Sequence, residues 1–495
     1  MRKINRFLSL RFNTKKVLLR FFILILLITN FDVVEGQNKG NVLFIIVDDL
    51  QPMISSYGAE FVSTPNMDSL SKESIQFNSA FCTYPLCSPS RASVLTGKRF
   101  RFQNHTNDEE GPSTPSINEV IRENKSLGEL FKKNGYFTAA LGKVYHGHVP
   151  EPDVPYWDLI YDSDSKKRSM EEWSTMTKEN RGGRSDHIWK IGNKLKPAGA
   201  LVWGHLDVKD DYFSDGEAAN KACEIISSHK KKDPLFLTLG FRRPHLPLFA
   251  PSKYFDQLSD ENYPVFASHD RSLRPFDITP KNKGLWNEGM SDKESQEVIK
   301  AYNACVSYVD NLIGKVIDEL KKAGMYDNTT IILWGDNGFH LSDHGLFRKN
   351  TPWQVSNRVP LMIHSSAQKT KGEYNGVVEA VDIYPTLVDL LDLKTDMKKT
   401  EFDGKSLVPI IQGNLEKDHK EFAMITAKTR IGIVDRKHYF LLDSVSAEIE
   451  LYDRMEDPSQ LKNLADSSLY DDTKNDYINK VKAAWENVPW RFSKQ

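Results

Sequence analysis

Short runs of apolar residues alternate along the chain with segments whose apolar residues recur at helical spacing. Strand patterns occupy 41–47, 75–82, 136–141, 234–239, 329–334 and 359–363, and 41–47 is a continuous apolar run without polar alternation. Such runs are typical of strands buried on both faces, as in a parallel sheet. Amphipathic segments at 64–72, 126–135, 214–229, 292–323 and 382–391 are predicted helices. The alternation predicts a doubly wound α/β fold, with a large, mostly parallel sheet between layers of helices.

The regular spacing of apolar residues weakens in two parts of the chain. Residues 147–210 carry clustered prolines and scattered tryptophans, a pattern typical of a long functional loop. Its tryptophans suit either stacking on sugar rings or packing within the loop itself. After residue 414 the sequence is charged, with short strand patterns and a helix pattern near 476–485. We therefore predict a catalytic domain over 37–414 and a smaller α+β C-terminal subdomain over 415–495.

The first 36 residues have the features of a secretory signal peptide. Basic residues precede the apolar run 21–29, and small residues near position 36 offer a cleavage site. The apolar run is short for a membrane span, so an uncleaved anchor is the less favoured alternative. We expect an exported protein without a membrane span after cleavage. It would be periplasmic or secreted if bacterial, and lysosomal if animal.

Bulk charge and cysteine content narrow the possible functions. Lys and Arg number 66 and Asp and Glu 67, for a net charge of −1. This balance gives no global basic field for nucleic acid, so an anionic ligand needs local clusters of cations. Four cysteines are too few for a disulfide scaffold. A single bridge among Cys82, Cys223 and Cys305 is left open.

Chemically active side chains follow the predicted strands. They are Asp48 and Asp49, then Lys143 and His146, then Arg243 and His245, and finally Asp336 and Asn337. The carboxyl ends of parallel strands share one edge, where α/β proteins bind ligands. Carboxylate and amide oxygens suit a hard cation, Ca²⁺ or Mg²⁺, and three carboxylates favour Ca²⁺. Lysines and arginines would neutralise an anion there, and histidines with near-neutral pKa could divide acid and base roles.

The segment Cys87-Ser-Pro-Ser-Arg91 predicts a helix start with a thiol just outside it. Ser88 is a candidate cap, Pro89 suits the first helical position, and Gly97 ends the helix. A thiol before a helix N-terminus would have a lowered pKa, and the same positive end attracts anions. A buried cysteine beside an ordinary capped helix is the alternative interpretation.

This segment, continued by Leu95-Thr-Gly97, resembles the signature of the type I sulfatases. In that family the cysteine is converted to formylglycine (3-oxoalanine). The form Gly142-Lys-Val-Tyr-His146 most resembles the iduronate-2-sulfatase branch. The resemblance implies an alkaline-phosphatase-like sulfatase fold and, as a partner, a formylglycine-generating or anaerobic sulfatase-maturating enzyme.

The resemblance also implies roles for individual residues. Cys87 would become formylglycine, supported by Arg91, and one Ca²⁺ would be bound by Asp48, Asp49, Asp336 and Asn337. Lys143 and His146 match the lysine–histidine pair next to the formylglycine. His245 and Lys349 match a histidine and a lysine that bind the sulfate. Arg243, His340 and Arg348 are further candidates for substrate contacts.

The implied function is calcium-dependent hydrolysis of sulfate esters in a sulfated, uronate-containing polysaccharide or its oligosaccharides. In the implied mechanism, a hydroxyl of hydrated formylglycine attacks sulfur and His245 protonates the leaving sugar oxygen. His146 then removes a proton so that sulfate is expelled. The branch typically has Asp-His at 336–337, and His340 and the loop 147–210 also depart from it, so iduronate itself is left open. A phosphate or phosphonate ester hydrolase and a non-catalytic glycan-binding protein are the alternatives.

Overall fold

A computed structural model describes residues 40–99, 117–162, 171–183, 189–191, 194–196, 201–229, 233–259, 263–265, 290–427 and 429–484. The expected signal peptide, 1–36, and parts of the loop 147–210 lie outside these residues. In chain order the strands are β1 Asn41–Val47, β2 Ile75–Phe81, β3 Phe137–Gly142, β4 Leu159–Tyr161, β5 Arg181–Gly183, β6 Trp189–Ile191, β7 Lys194–Lys196, β8 Val202–Leu206, β9 Leu235–Phe241, β10 Leu248–Pro251, β11 Thr329–Gly335, β12 His340–Leu341, β13 Phe347–Arg348, β14 Arg358–Val359, β15 Leu361–His364, β16 Gly372–Glu379, β17 Ala423–Ala427, β18 Arg430–Val434, β19 His438–Asp443 and β20 Ile449–Asp453. The helices are α1 Pro65–Lys72, α2 Cys87–Thr96, α3 Ile117–Glu123, α4 Leu127–Lys133, α5 Ser214–Ser228, α6 Ser252–Asp256, α7 Asp292–Lys322, α8 Gln354–Asn357, α9 Ile383–Leu390, α10 Val408–Ile411 and α11 Asp471–Ala484.

Nine strands form the central sheet, in the order β14–β2–β15–β11–β1–β9–β3–β4, with β16 also paired to β2. The strands β11, β1, β9, β3 and β4 run parallel to one another. β15 is antiparallel to both β11 and β2, so β2 points the same way as β1. The large α/β sheet expected from the sequence is confirmed. Its parallel half brings the carboxyl ends of neighbouring strands to one edge.

Helices cover both faces of this parallel half, which explains its unbroken apolar runs. Leu43 and Ile45 of β1 belong to a core shared with α5 and α7. Phe44 and Ile46, on the opposite face, belong to a core shared with α2, α4 and α9. All residues of β1, β9 and β11 are buried. Alternate side chains of one strand therefore contribute to two separate cores.

Two local features differ from the sequence-based expectation. The helix α2 begins at Cys87, with Leu86 as its N-cap and no side-chain cap. The thiol therefore lies in the first helical turn, and Ser88 does not cap the helix. The strand expected over 359–363 is divided into β14 and β15 at Pro360, because proline has no N–H to donate to a neighbouring strand.

The C-terminal part contains an antiparallel sheet, β17–β18–β19–β20, with α11 against one face. The other face packs on Phe81 and Trp353 through Ile425 and Tyr439. This arrangement is of the α+β kind expected there, although the boundary at 414/415 stays a prediction. In the ranges given above, every helix is too short or too polar to cross a bilayer.

Candidate active site

Strand ends bring the predicted site residues to one edge of the central sheet. Asp48 and Asp49 follow β1, Lys143 follows β3, and Asp336 follows β11. Donor atoms of Asp48, Asp49, Cys87 and Asp336 lie within 4.8 Å of one another. Residues almost three hundred positions apart therefore share one buried cluster, as expected for the ends of parallel strands.

Two glycines let the strands β3 and β9 approach closely beside this cluster. A Cβ on Gly240 would lie 2.0 Å from the carbonyl oxygen of Lys143. A Cβ on Gly142, whose φ is +66°, would lie 2.3 Å from the carbonyl oxygen of Gly240. The Lys143 N–H donates to that same carbonyl at 2.8 Å. Gly240 thus sets the position of Lys143, a role that the sequence analysis missed although a glycine at a strand end is a signal of close approach.

Arg91 holds two of the carboxylates in place. Its side chain is fully buried, Nε donates to Asp336 at 2.8 Å, and Nη2 donates to Asp48 at 3.3 Å. It also donates to the carbonyls of Lys143 and Val144. Arg91 therefore joins α2 to the ends of three strands, which fits the supporting role expected for it.

Asp49 and Asn337 complete an oxygen-rich group beside Asp336. The Asp49 N–H donates to Asp336 Oδ1 at 2.9 Å, and Asn337 Nδ2 donates to Asp49 Oδ1 at 2.8 Å. Asn337 Oδ1 is buried and accepts no hydrogen bond from the described residues. Burial raises the pKa of Asp336 to about 6 despite the nearby Arg91. Burial acts on Asp48 in the same direction, but Lys143, His245 and Arg91 hold the pKa of Asp48 well below its usual value.

Two lysines flank the Cys87 side chain. Lys349 Nζ lies 2.8 Å from Sγ and also bonds to Asp49, while Lys143 Nζ lies 3.9 Å from Sγ and bonds to Asp48. Burial, together with the charges of Asp336 and Asp48, raises the pKa of the Cys87 thiol well above its usual value. The expectation of a lowered thiol pKa was wrong, because desolvation and carboxylates outweigh the helix terminus. The unmodified side chain is a neutral thiol and a weak nucleophile.

The two predicted acid–base histidines are both neutral at pH 7. Burial, with a further contribution from Lys143, lowers the pKa of His245 to about 3. Although His146 is exposed at the edge of the site, partial desolvation of its ring and the charge of Lys143 lower its pKa to about 4. The near-neutral values expected from the sequence were therefore wrong. His245 Nδ1 lies 2.7 Å from the Leu246 carbonyl oxygen, and since a carbonyl only accepts, Nδ1 carries the proton and Nε2 the lone pair.

The three residues proposed for substrate contacts have different environments. Arg243 is buried, with Nη1 2.9 Å from Asp215 and Nη2 3.3 Å from Glu172. His340 is also buried. Its Nε2 lies 2.7 Å from Thr351 Oγ1 and its Nδ1 lies 3.1 Å from the Asp343 carbonyl oxygen. Both side chains thus have internal partners, and contact of Arg243 and His340 with substrate stays a prediction. Arg348, next to Lys349, is half-buried and keeps that possibility.

The four cysteines are free, including Cys82 and Cys305, which are buried, and Cys223, which is half-buried. The bridge left open among Cys82, Cys223 and Cys305 is therefore not present.

Comparison with known proteins identifies the family. The sulfatase family matches residues 40–393, and a family described as N-sulphoglucosamine sulphohydrolase, C-terminal, matches residues 342–487. A sulfatase of Formosa agariphila is 31% identical over 467 residues, covering 87% of this chain and 84% of that protein. The mouse iduronate 2-sulfatase is 28% identical over 350 residues, covering 66% of this chain and 59% of that protein.

Among solved structures, a phosphonate monoester hydrolase of Agrobacterium radiobacter superposes with a TM-score of 0.70 at 20% identity. The superposition covers 90% of this chain and 95% of that chain. At this identity the likeness shows the fold alone, and it confirms the α/β architecture. The matches support sulfuric ester hydrolase activity and confirm the resemblance seen in the sequence: the chain belongs to the sulfatase family.

Proposed function

We propose that the protein is an exported, calcium-dependent sulfatase. Its substrates would be sulfate esters of a sulfated, uronate-containing polysaccharide or its oligosaccharides. The observation that carries this proposal is the position of Cys87, between two lysines and beside three buried carboxylates. Cations on one side and carboxylates on the other suit a site that holds an anion against a bound metal ion.

The donor set fits a calcium ion. Asp48, Asp49 and Asp336 offer carboxylate oxygens within one buried cluster, and the amide oxygen of Asn337 lacks a partner in the described residues. Oxygen-only donors of this kind suit Ca²⁺ rather than zinc. When bound, the ion would help to neutralise the negative charge of the sulfate group.

The environment of Cys87 fits its conversion to formylglycine. Because burial keeps the thiol neutral, the unmodified residue is poorly suited to attack sulfur. The hydrated aldehyde would supply the attacking hydroxyl, with ammonium groups of Lys143 and Lys349 close by. A maturation enzyme of the formylglycine-generating or anaerobic kind remains part of this proposal.

Lysines and histidines of the chain would bind the sulfate and move protons. Lys143 and Lys349 would neutralise the sulfate oxygens, while Arg91 keeps Asp48 and Asp336 in position. His245 presents the Nε2 lone pair, so its role as the acid requires the ring to take up a proton when the anionic substrate enters. His146, exposed at the edge of the site, would accept a proton from the residue at position 87 in the second step.

Paired assays test this proposal. Protein matured by a co-produced formylglycine-generating enzyme should hydrolyse sulfate esters much faster than matched phosphate esters. A large preference for phosphate or phosphonate would favour the second candidate, which the fold of the phosphonate monoester hydrolase supports. A panel of sulfated oligosaccharides of heparan, dermatan, ulvan and carrageenan types would then identify the sugar. The iduronate 2-sulfatase among the relatives supports testing the uronate-containing members first.

A further inference from the structure

Arg348 has an unusual backbone at a position next to the site. Its φ is +82°, and the φ of Asn350 is +71°, so both neighbours of Lys349 are in the left-handed region. Asparagine tolerates this region, but arginine rarely adopts it. Such a conformation persists only where the surrounding structure imposes it, and such outliers cluster at active sites, ligand clamps and switch regions.

The half-buried side chain of Arg348 lacks the partners that the buried arginines Arg91 and Arg243 have. Arg91 and Arg243 each bind two carboxylates. Across the described ranges, no hydrogen bond or ion pair joins the Arg348 guanidinium to another residue, and its Nε is buried without a partner. A buried donor atom without a partner, such as Arg348 Nε, is costly. The arrangement is therefore suited to an anion that comes from outside the chain.

Arg348 also lies close to the reacting group. It pairs with His340 in the β12–β13 ribbon, and the next residue, Lys349, places Nζ 2.8 Å from Cys87 Sγ. Burial lowers the pKa of Arg348 while the charge of Asp49 opposes this, so the guanidinium is within electrostatic reach of the site. Adjacent Cα atoms are about 3.8 Å apart, so the backbone of Arg348 directly adjoins that of the lysine that contacts Cys87.

We propose that Arg348 binds a second oxyanion of the substrate, a carboxylate or another sulfate on the sugar that carries the scissile sulfate. The paired N–H donors of a guanidinium group match the two oxygens of a planar carboxylate, or two oxygens of a sulfate. The preferred substrate is then a dianionic sugar. This inference rests on the proposed function and specifies its substrate class.

Arg348→Gly is the variant that tests it, because glycine adopts a positive φ without strain. Arg348→Lys keeps the charge without the paired donors. The substrates are a monosulfated hexose, the corresponding monosulfated hexuronate and the corresponding disulfated hexose. We expect kcat/KM of Arg348→Gly to fall about 10- to 100-fold on the two dianionic sugars and less than about twofold on the hexose monosulfate. A loss confined to the hexuronate identifies the oxyanion as a carboxylate, and a loss confined to the disulfate identifies it as a sulfate.

Equal losses on all three substrates, or no loss on any, would overturn the inference. A calorimetric arm keeps it testable without turnover. The hexuronate or the disulfate should bind Cys87→Ala about tenfold more tightly than Cys87→Ala/Arg348→Gly. If the two proteins bind each of these sugars with the same affinity, the role of Arg348 is contradicted. Wild-type protein that hydrolyses no sulfate ester would refute the proposed function, while the binding comparison would still decide the role of Arg348.

Discussion

Replacing Arg91 by methionine should make the stability of the protein depend strongly on calcium. The Arg91 side chain and both of its carboxylate partners, Asp48 and Asp336, are fully buried. Removing one member of a buried ion pair costs about 3–5 kcal/mol, because the remaining charge is left uncompensated. A cation bound by the same carboxylates would supply part of the missing charge. We therefore expect a loss of about 3–5 kcal/mol without calcium and a clearly smaller loss at saturating calcium.

The assay is urea denaturation of wild type and variant, each with EDTA and with excess Ca²⁺. Arg243→Met is the matched control, because Arg243 also holds two buried carboxylates, Asp215 and Glu172, which are outside the predicted calcium ligands. Its loss should be the same with and without calcium. If calcium leaves the Arg91→Met loss unchanged, Asp48 and Asp336 are not calcium ligands. A loss below about 1 kcal/mol in EDTA would refute the reasoning about the buried pair.

Three other predictions concern the pH dependence of stability, the close approach of two strands, and the nucleophile. Burial raises the pKa of Glu450 from 4.5 to about 8. As the pH rises, the unfolded chain therefore loses this proton before the folded chain does. The free energy of unfolding should fall between these two pH values, by at most about 1.4 kcal/mol per pH unit. Glu450→Gln should remove this component in thermal melts at about pH 5 and pH 8, and an unchanged pH dependence would argue against it. Gly240→Ala places a Cβ 2.0 Å from the Lys143 carbonyl oxygen. We therefore expect a stability loss of about 1–3 kcal/mol and a lower kcat. A variant with wild-type kcat would show that the spacing between β3 and β9 is not critical for catalysis. Cys87→Ala should be folded, should still bind calcium by calorimetry, and should be inactive, whereas measurable turnover would refute the role of residue 87.

The position of the site could be predicted from the sequence because local patterns determine it. Unbroken apolar runs predict parallel strands, and the residues after those runs, such as Asp48 and Asp336, must then share one edge of the sheet. The motif that begins at Cys87 adds the thiol to this edge, through its resemblance to the sulfatase signature. These inferences require only the order and type of the strands, and not the contacts of individual side chains.

The environments of individual side chains could not be predicted, because they depend on distant partners and on burial. Arg243 was a candidate for substrate contact from its place in a loop, but its partners in the structure, Asp215 and Glu172, are distant in the sequence. The pKa of the Cys87 thiol was expected to be lowered by the helix terminus, but desolvation by neighbours across the fold raises it. The positive φ of Arg348, which pairs with His340 in the β12–β13 ribbon, likewise had no counterpart in the expectations from sequence.

The most direct test of the central claim compares modification with activity in the same preparations. The protein is produced with different amounts of a formylglycine-generating enzyme. Mass spectrometry of the tryptic peptide then gives the fraction of residue 87 converted to formylglycine, and hydrolysis of a sulfate ester gives the rate. The account predicts a rate proportional to the converted fraction, falling to background when residue 87 is entirely cysteine. Full activity in protein whose peptide carries only unmodified cysteine would contradict it.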